Sequence, residues 1–485
     1  MTISTDLRVP FIYVEFDPSR AFTGPSLLQY NALLIGGRTS GGTRAELIID
    51  RVTSYDEATK FYGSGSQLAR MFKKFFQGNR TTIVYGVSLD DAGAGVKATG
   101  TFVIGGTATA PGSFTAYIGG ERLVIAVTVG MTADQIGAAL VAAIHNGLPI
   151  TGVNAAGTVT ITAKNAGEPG NDIDLRMNYN SGEELPTGIT CTVNAMSAGA
   201  NNPDIQDVID ILGDNWYQVI CAPYYDATNL NAIEAELSDR FGPLRMIDGQ
   251  YITSRRGTLA QLSTFGNGRN SQFVECVHSQ KIPGCSFEFA AAWAAQIAKE
   301  GQQDPAAPFQ TIELVGILPP GKMERFTNTE NNTLLYDGIS TFYVDNAGKV
   351  RMQRAITMYQ KNALGADDIA YLDVNTMLTL MYLRYDFRTQ ILTRYPRAKL
   401  ADDGVQVGPG QQVMTPKLGK AEAINIFRGW EFLGLCENVA QFKQDLVCVR
   451  STTDPNRLEW LLPPDLMNQF RVGAAVIQFL LESPV

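Results

Sequence analysis

Residues 32–36 (ALLIG), 54–76 (SYDEATKFYGSGSQLARMFKKFF) and 82–87 (TIVYGV) decide how this chain folds. The first and last are short, almost wholly apolar runs, the pattern of strands buried on both faces. Between them Leu68, Met71, Phe72, Phe75 and Phe76 recur at helical spacing. A strand, a helix and a second strand in that order predict an α/β core. The glycine-rich stretch Gly36–Gly42 lacks the lysine of a phosphate-binding loop, and no GxGxxG follows a strand, so it reads as a turn.

Moving outward, the composition changes near Asp90. From Lys97 to Ser197 the chain is rich in Thr, Gly and Ala and almost free of aromatics. Phe114–Ile118 and Arg122–Val127 flank Gly119-Gly120-Glu121, a hairpin signal. Thr132 begins a short helix to Ile144, with Gln135 completing a capping box and Gly147 beyond its end. Thr158–Ala163 alternates as a strand. Residues 97–196 thus read as an inserted α+β domain with its own small core, facing outward on a polar surface. Its removal is expected to leave assembly intact.

The α/β alternation resumes at Asp204, with strands at Trp216–Ala222 and Gln272–Val277 and a helix at Leu230–Phe241. Phe287–Lys299 reads as an Ala-rich helix stopped by Gly301. Residues 21–96 and 197–330 therefore complete one core. After Pro319-Pro320 comes a C-terminal α/β domain, residues 331–464. It carries a hairpin around Asp345–Gly348, a long helix from about Leu372 to Arg394, and a helix at Ala421–Phe432. Residues 1–20 and 465–485 are apolar strand candidates outside these domains: VPFIYVEF at 9–16 and FRVGAAVIQFLL at 470–481.

With 485 residues the chain is too long for one core. It is 45% hydrophobic and 18% charged, with a net charge of -9. Such acidity disfavours a nucleic-acid partner. No apolar run reaches the ~18–20 residues that span a bilayer, so no membrane insertion is expected. Met1–Asp17 does not read as a signal peptide, which implies synthesis in the cytoplasm. The six cysteines form no CxxC pair and read as buried thiols.

Patterns that could carry catalysis are few. Gly284-Cys285-Ser286 opens the Ala-rich helix, and a nucleophilic Ser286 would need a histidine base oriented by a carboxylate. Only His145 and His278 exist, neither in a suitable context. Ser286 is expected to be a helix cap instead. Cys276, His278 and Cys285 fall short of the four ligands of structural zinc. The pairs Asp367-Asp368 and Asp402-Asp403 read as solvated charge. No catalytic residue, cofactor or metal is expected.

A collinear series of segments gives the chain its family likeness. It includes Val9–Glu15, Leu33–Gly37, Phe61–Ala69, Gly157–Gly167 with Gly170-Asn171-Asp172, and Leu334–Ile339. It continues through Val350–Tyr359, Asp367–Val374, Arg394–Gly404 and Asp454–Leu458. In these segments the chain resembles the tail sheath proteins of Mu-type contractile phages. The resemblance implies a non-catalytic, subtilisin-like core in a structural subunit. It implies stacked hexameric rings, a helical polymer of the chain with itself, around a tail tube that the C-terminal domain approaches. Baseplate and tail terminator proteins are the further partners, in a virion tail assembled in the host cytoplasm. Contraction would drive the tube through the host envelope for genome delivery. The alternatives are another tail component, tube or baseplate, or a serine hydrolase using Ser286.

The family likeness also implies terminal arms that add strands to neighbouring subunits. An arm of ~20 residues extends about 65 Å, comparable to the roughly 60 Å diameter of a compact chain this long. Val9, Phe11, Tyr13, Val14 and Phe16 are the arm candidates at one end. Val472, Val476, Ile477, Phe479 and Leu481 are those at the other. Lys417, Lys420 and Arg428 are the candidate tube contacts.

Overall fold

A computed structural model describes residues 28–406 and 408–481. The N-terminal arm candidates Val9 to Phe16 lie outside the described residues.

The core opens with β1 (Asn31–Gly37), β2 (Asp50–Val52), α1 (Tyr55–Tyr62), α2 (Gln67–Gly78) and β3 (Ile83–Leu89). The helical periodicity of 54–76 is thus divided, because Gly63 and Gly65 take φ of +88° and +73°, where side chains are disfavoured. The insert follows as β4 (Thr99–Gly106), β5 (Gly112–Ile118), β6 (Glu121–Val127), α3 (Ala133–Ala143), β7 (Ile150–Ala155), β8 (Thr158–Ala163), β9 (Leu175–Met177) and β10 (Ile189–Ser197). The core then resumes with α4 (Gln206–Leu212), β11 (Val219–Cys221), α5 (Ala227–Phe241), β12 (Gln250–Arg255), α6 (Leu259–Asn267), β13 (Val274–His278) and α7 (Ser286–Gln303).

One sheet organises the core, in the order β13-β12-β11-β1-β3-β2. Its strands are parallel except β2, which runs antiparallel to β3. Side chains alternate across β1: Ala32 and Leu34 enter the core with Leu68, Phe72 and Ala294, while Leu33 and Ile35 enter that with Val208, Leu230 and Leu262. Helices α2 and α7 therefore cover one face and α4, α5 and α6 the other, the layering that parallel sheets require.

Three expectations need correction here. β12 and α6 were not anticipated, because QYITSR is polar by sequence; yet Gln250, Thr253 and Ser254 are all buried. Gly301 does not stop α7, which continues to Gln303. A Cβ on Gly301 would come within 2.9 Å of Leu378, so the glycine permits close packing instead. The insert builds two sheets, β10-β4-β8-β7 and β6-β5-β9, but its buried residues share one continuous core with α2 and α7. It does not fold around a core of its own.

The C-terminal part comprises α8 (Asn328–Tyr336), β14 (Thr341–Val344), β15 (Val350–Arg354), α9 (Val374–Arg394), β16 (Lys399–Leu400), β17 (Val413–Met414), α10 (Pro416–Phe432), β18 (Cys436–Glu437), α11 (Val439–Asp445), β19 (Val447–Arg450), β20 (Leu458–Leu461) and β21 (Asp465–Leu466). The hairpin expected around Asp345–Gly348 is β14–β15. Ser340 bridges to Val277, so the C-terminal part continues the edge of the central sheet at β13.

Candidate assembly site

In open parallel sheets a ligand crevice forms where strand order reverses, beyond the carboxyl ends of the strands. Here that point lies between β1 and β11, and the insert covers the ground beside it. Asn165 accepts from the Gln67 amide at 3.0 Å and donates to the Arg38 carbonyl at 2.7 Å. A Cβ on Gly37 would meet Asn165 at 2.6 Å. Further along, the Asp174 amide donates to the Gly284 carbonyl at 3.0 Å, and Arg256 bonds the Asp174 carboxylate at 3.1 Å. The hairpin tip Gly119-Gly120, at φ of +56° and +79°, rests on the Pro283 carbonyl.

An ion cluster fastens the same junction. Arg70 of α2, almost fully buried, bonds Glu288 of α7 and Glu121 of β6 and donates to the carbonyls of Gly147 and Gly119. Lys73 joins it at 2.8 Å from Glu121. Burial acts to raise the Glu121 carboxyl, but Arg70 and Lys73 outweigh it and hold the group at about 2. His145 lies at 2.9 Å from the other Glu121 oxygen.

Ser286 sits at the foot of this filled region. It is the first residue of α7, not its cap: Cys285 is the N-cap and makes no side-chain capping bond. Ser279 donates to the Ser286 hydroxyl at 2.9 Å, and both are buried. His278 packs its ring on Phe342 and Phe326, 4.6 and 5.1 Å between centroids. Burial lowers its imidazole to about 3, with Asn331 acting in the opposite sense. Cys276 and Cys285 belong to different cores on opposite faces of the sheet. Among the described residues no group of three His, Cys, Asp or Glu is placed to hold a metal ion.

The C-terminal segment is arranged very differently. After β21 the chain from Met467 to Leu481 has no secondary structure. Its root is pinned: Arg471 lies 2.9 Å from Asp373 and 3.2 Å from Asn375, at the start of α9. Gln310 donates to the Phe470 carbonyl at 3.1 Å. Beyond this root, Val472, Val476, Ile477, Phe479 and Leu481 are 78 to 89% exposed. The anchoring by Arg471 was missed from sequence, though a lone charge opening an apolar run was its visible signal.

Lys417, Lys420 and Arg428 all lie within α10. Lys417 and Arg428 are exposed and Lys420 is half-buried beside Cys448. Eleven positions apart, the first two share one helical stripe, which ends at the exposed Phe432.

The profile of the phage tail sheath protein central domain matches residues 198–358, and that of the phage tail sheath C-terminal domain matches residues 366–479. The chain is 41% identical over 481 residues to the Mu-like prophage FluMu tail sheath protein of Haemophilus influenzae, covering 99% of each. Its fold is similar to the sheath tail protein Lin1278 from Listeria innocua, with 11% identity, 91% of this chain and 92% of that one covered, and a TM-score of 0.50. A chain of the anti-feeding prophage baseplate in contracted state matches at 11% identity, with 96% and 97% covered and a TM-score of 0.51.

The chain belongs to the phage tail sheath family, structural proteins of contractile tails. Within that family it stands with the Mu-type sheaths, by its end-to-end identity to the Haemophilus prophage protein.

Proposed function

We propose that this protein polymerises with itself as stacked hexameric rings around a tail tube, and that the polymer contracts to drive the tube through the host envelope. It acts as a structural subunit and not as an enzyme, between baseplate and terminator proteins. The observation that carries this reading is the segment after Arg471. Apolar side chains stay in water only at a cost of about 1.5–3 kcal/mol each. Exposed together on a segment with a pinned root, they call for cover by another molecule.

Strand addition supplies that cover, because main-chain ladder bonds hold while side-chain packing around them changes. The β19–β20 ribbon supports it from the receiving side. It is a two-stranded sheet that no further strand joins among the described residues, with Val447, Val449 and Leu461 exposed, and such a pair is marginal unless further strands join it. Residues 9–16 and 472–481 are the donor arms in this reading. The charged stripe of α10 faces the tube.

Electron microscopy of the purified protein, with and without residues 1–18, tests the proposal. The full chain should form hollow tubes wide enough for an inner tube, and the truncated chain should stay soluble and unassembled. Normal tubes from the truncated chain would remove the N-terminal arm from the mechanism, and the same comparison without residues 472–485 tests the C-terminal one. In the same preparations, reversing the charge of Lys417, Lys420 and Arg428 together should abolish co-assembly with tube protein while leaving empty sheaths.

A further inference from the structure

The turn at residues 360–371 presents an unusual combination of stiffness and apolar exposure. Leu364 and Ile369 are 94% and 77% exposed, yet the backbone beneath them is tied at every step. Asn362 accepts through its side chain from the amides of Leu364 and Ala366, at 2.9 and 3.2 Å. Gly365 turns the tip at φ +79°. Asn270 clamps the base, accepting from the Gln360 and Lys361 amides at 2.8 and 2.9 Å. Tyr359 donates to Asp368 at 2.6 Å. A knob ordered in advance loses little entropy when it docks.

The same chain carries a hole. A groove of about 250 Å³ beside α9 is lined by Trp216, Met246, Met381, Tyr385, Arg388 and Leu392 among others. Its walls are apolar, and Arg388 at its rim is exposed with no carboxylate partner among the described residues. Arg384, deeper in, is already paired with Asp248 at 3.0 Å. The turn carries Asp367, exposed and without a cationic partner among the described residues, and two carboxylates against the single ammonium of Lys361. Knob and groove are both apolar, and Asp367 on one is opposite in charge to Arg388 on the other.

They cannot meet within one molecule. The turn leads directly into the first residue of α9, whereas the groove is centred some thirteen residues further along the helix, about 20 Å away at 1.5 Å per residue. We propose that the 360–371 turn of one copy seats Leu364 and Ile369 in the α9 groove of a second copy, with Asp367 facing Arg388. Two different surfaces pairing in this way make a head-to-tail contact, which repeats into rings or helical polymers. The contact is distinct from the terminal arms, and it rests on the reading of the chain as a self-assembling sheath.

The test compares polymer formation, by sedimentation and electron microscopy, for the full chain and for Leu364→Asp, Asp367→Arg, Arg388→Glu and Asp367→Arg/Arg388→Glu. Circular dichroism confirms folding, which substitutions at such exposed positions should not disturb. Each single variant should raise the critical concentration about tenfold or more, and the double charge exchange should restore most of it. Single variants that assemble like the full chain overturn the contact, as does a double variant no better than the singles. A full chain that stays monomeric at every concentration overturns the sheath reading itself, and this contact with it.

Discussion

Glu275 shows how a single residue escapes a reading by composition. It stands on β13, fully buried, accepting from Trp293 at 2.8 Å and from Ser340 at 2.7 Å. It therefore ties α7 and the start of the C-terminal part to the central sheet. Burial pushes its carboxyl up to about 8 from the ordinary 4.5, against the pull of Ser340 and Trp293. Between those values the folded chain holds a proton that the unfolded chain releases, so stability falls as pH rises through this window and then levels off. Glu275→Gln should stay close to the native protein at pH 5 and exceed it by about 3–4 kcal/mol at pH 8, read from urea unfolding at each pH. Equal pH slopes for the two proteins would show that Glu275 is ionised in the fold. In the sequence VECVH this residue looks like a polar interruption. Only the neighbours brought by α7 and Ser340 explain it.

Elements were legible in proportion to how much of their own pattern they carry. The capping box of Thr132 and Gln135, and the glycine turn at 119–120, are local signals, and the structure has both. β12 is covered on one face by α7, which lies beyond α6 and β13 in the chain, so its polar residues gave no periodicity to read. The interlock of α2, α7 and the β5–β6 hairpin is likewise invisible along the chain, since Arg70 meets Glu121 and Glu288 only after folding. Arg70→Ala strands Glu288 in a buried site and should cost about 3–5 kcal/mol, measured by denaturant unfolding. Replacing Arg70 and Glu288 together by Met should recover most of that loss, because an apolar pair leaves no buried charge behind. A double variant as unstable as the single would assign the loss to packing.

At the scale of the molecule, the insert is bound into the sheath subunit and not merely attached to it. Removing residues 97–196 would take Glu121 from Arg70, and Asn165 from the Gln67 amide and the Arg38 carbonyl, so an outward location is better tested by an insertion than by a deletion. The turn at Gly182, with φ +85° and open space for 4 Å around the place a Cβ would take, accepts one. A short epitope there should leave tubes of normal width that bind antibody along their whole length. Tubes that assemble but bind none would place the insert inward. By itself the sequence determined the α/β alternation, the hairpins and caps, the apolar ends and the poverty of catalytic groups, because each is written in neighbouring residues or in composition. Tertiary structure alone decided that the insert shares the main core, that polar strand residues are buried, and that Arg471 pins the C-terminal segment to the start of α9. Those facts depend on which distant side chains meet, and burial and charge pairing between them are properties of the folded chain.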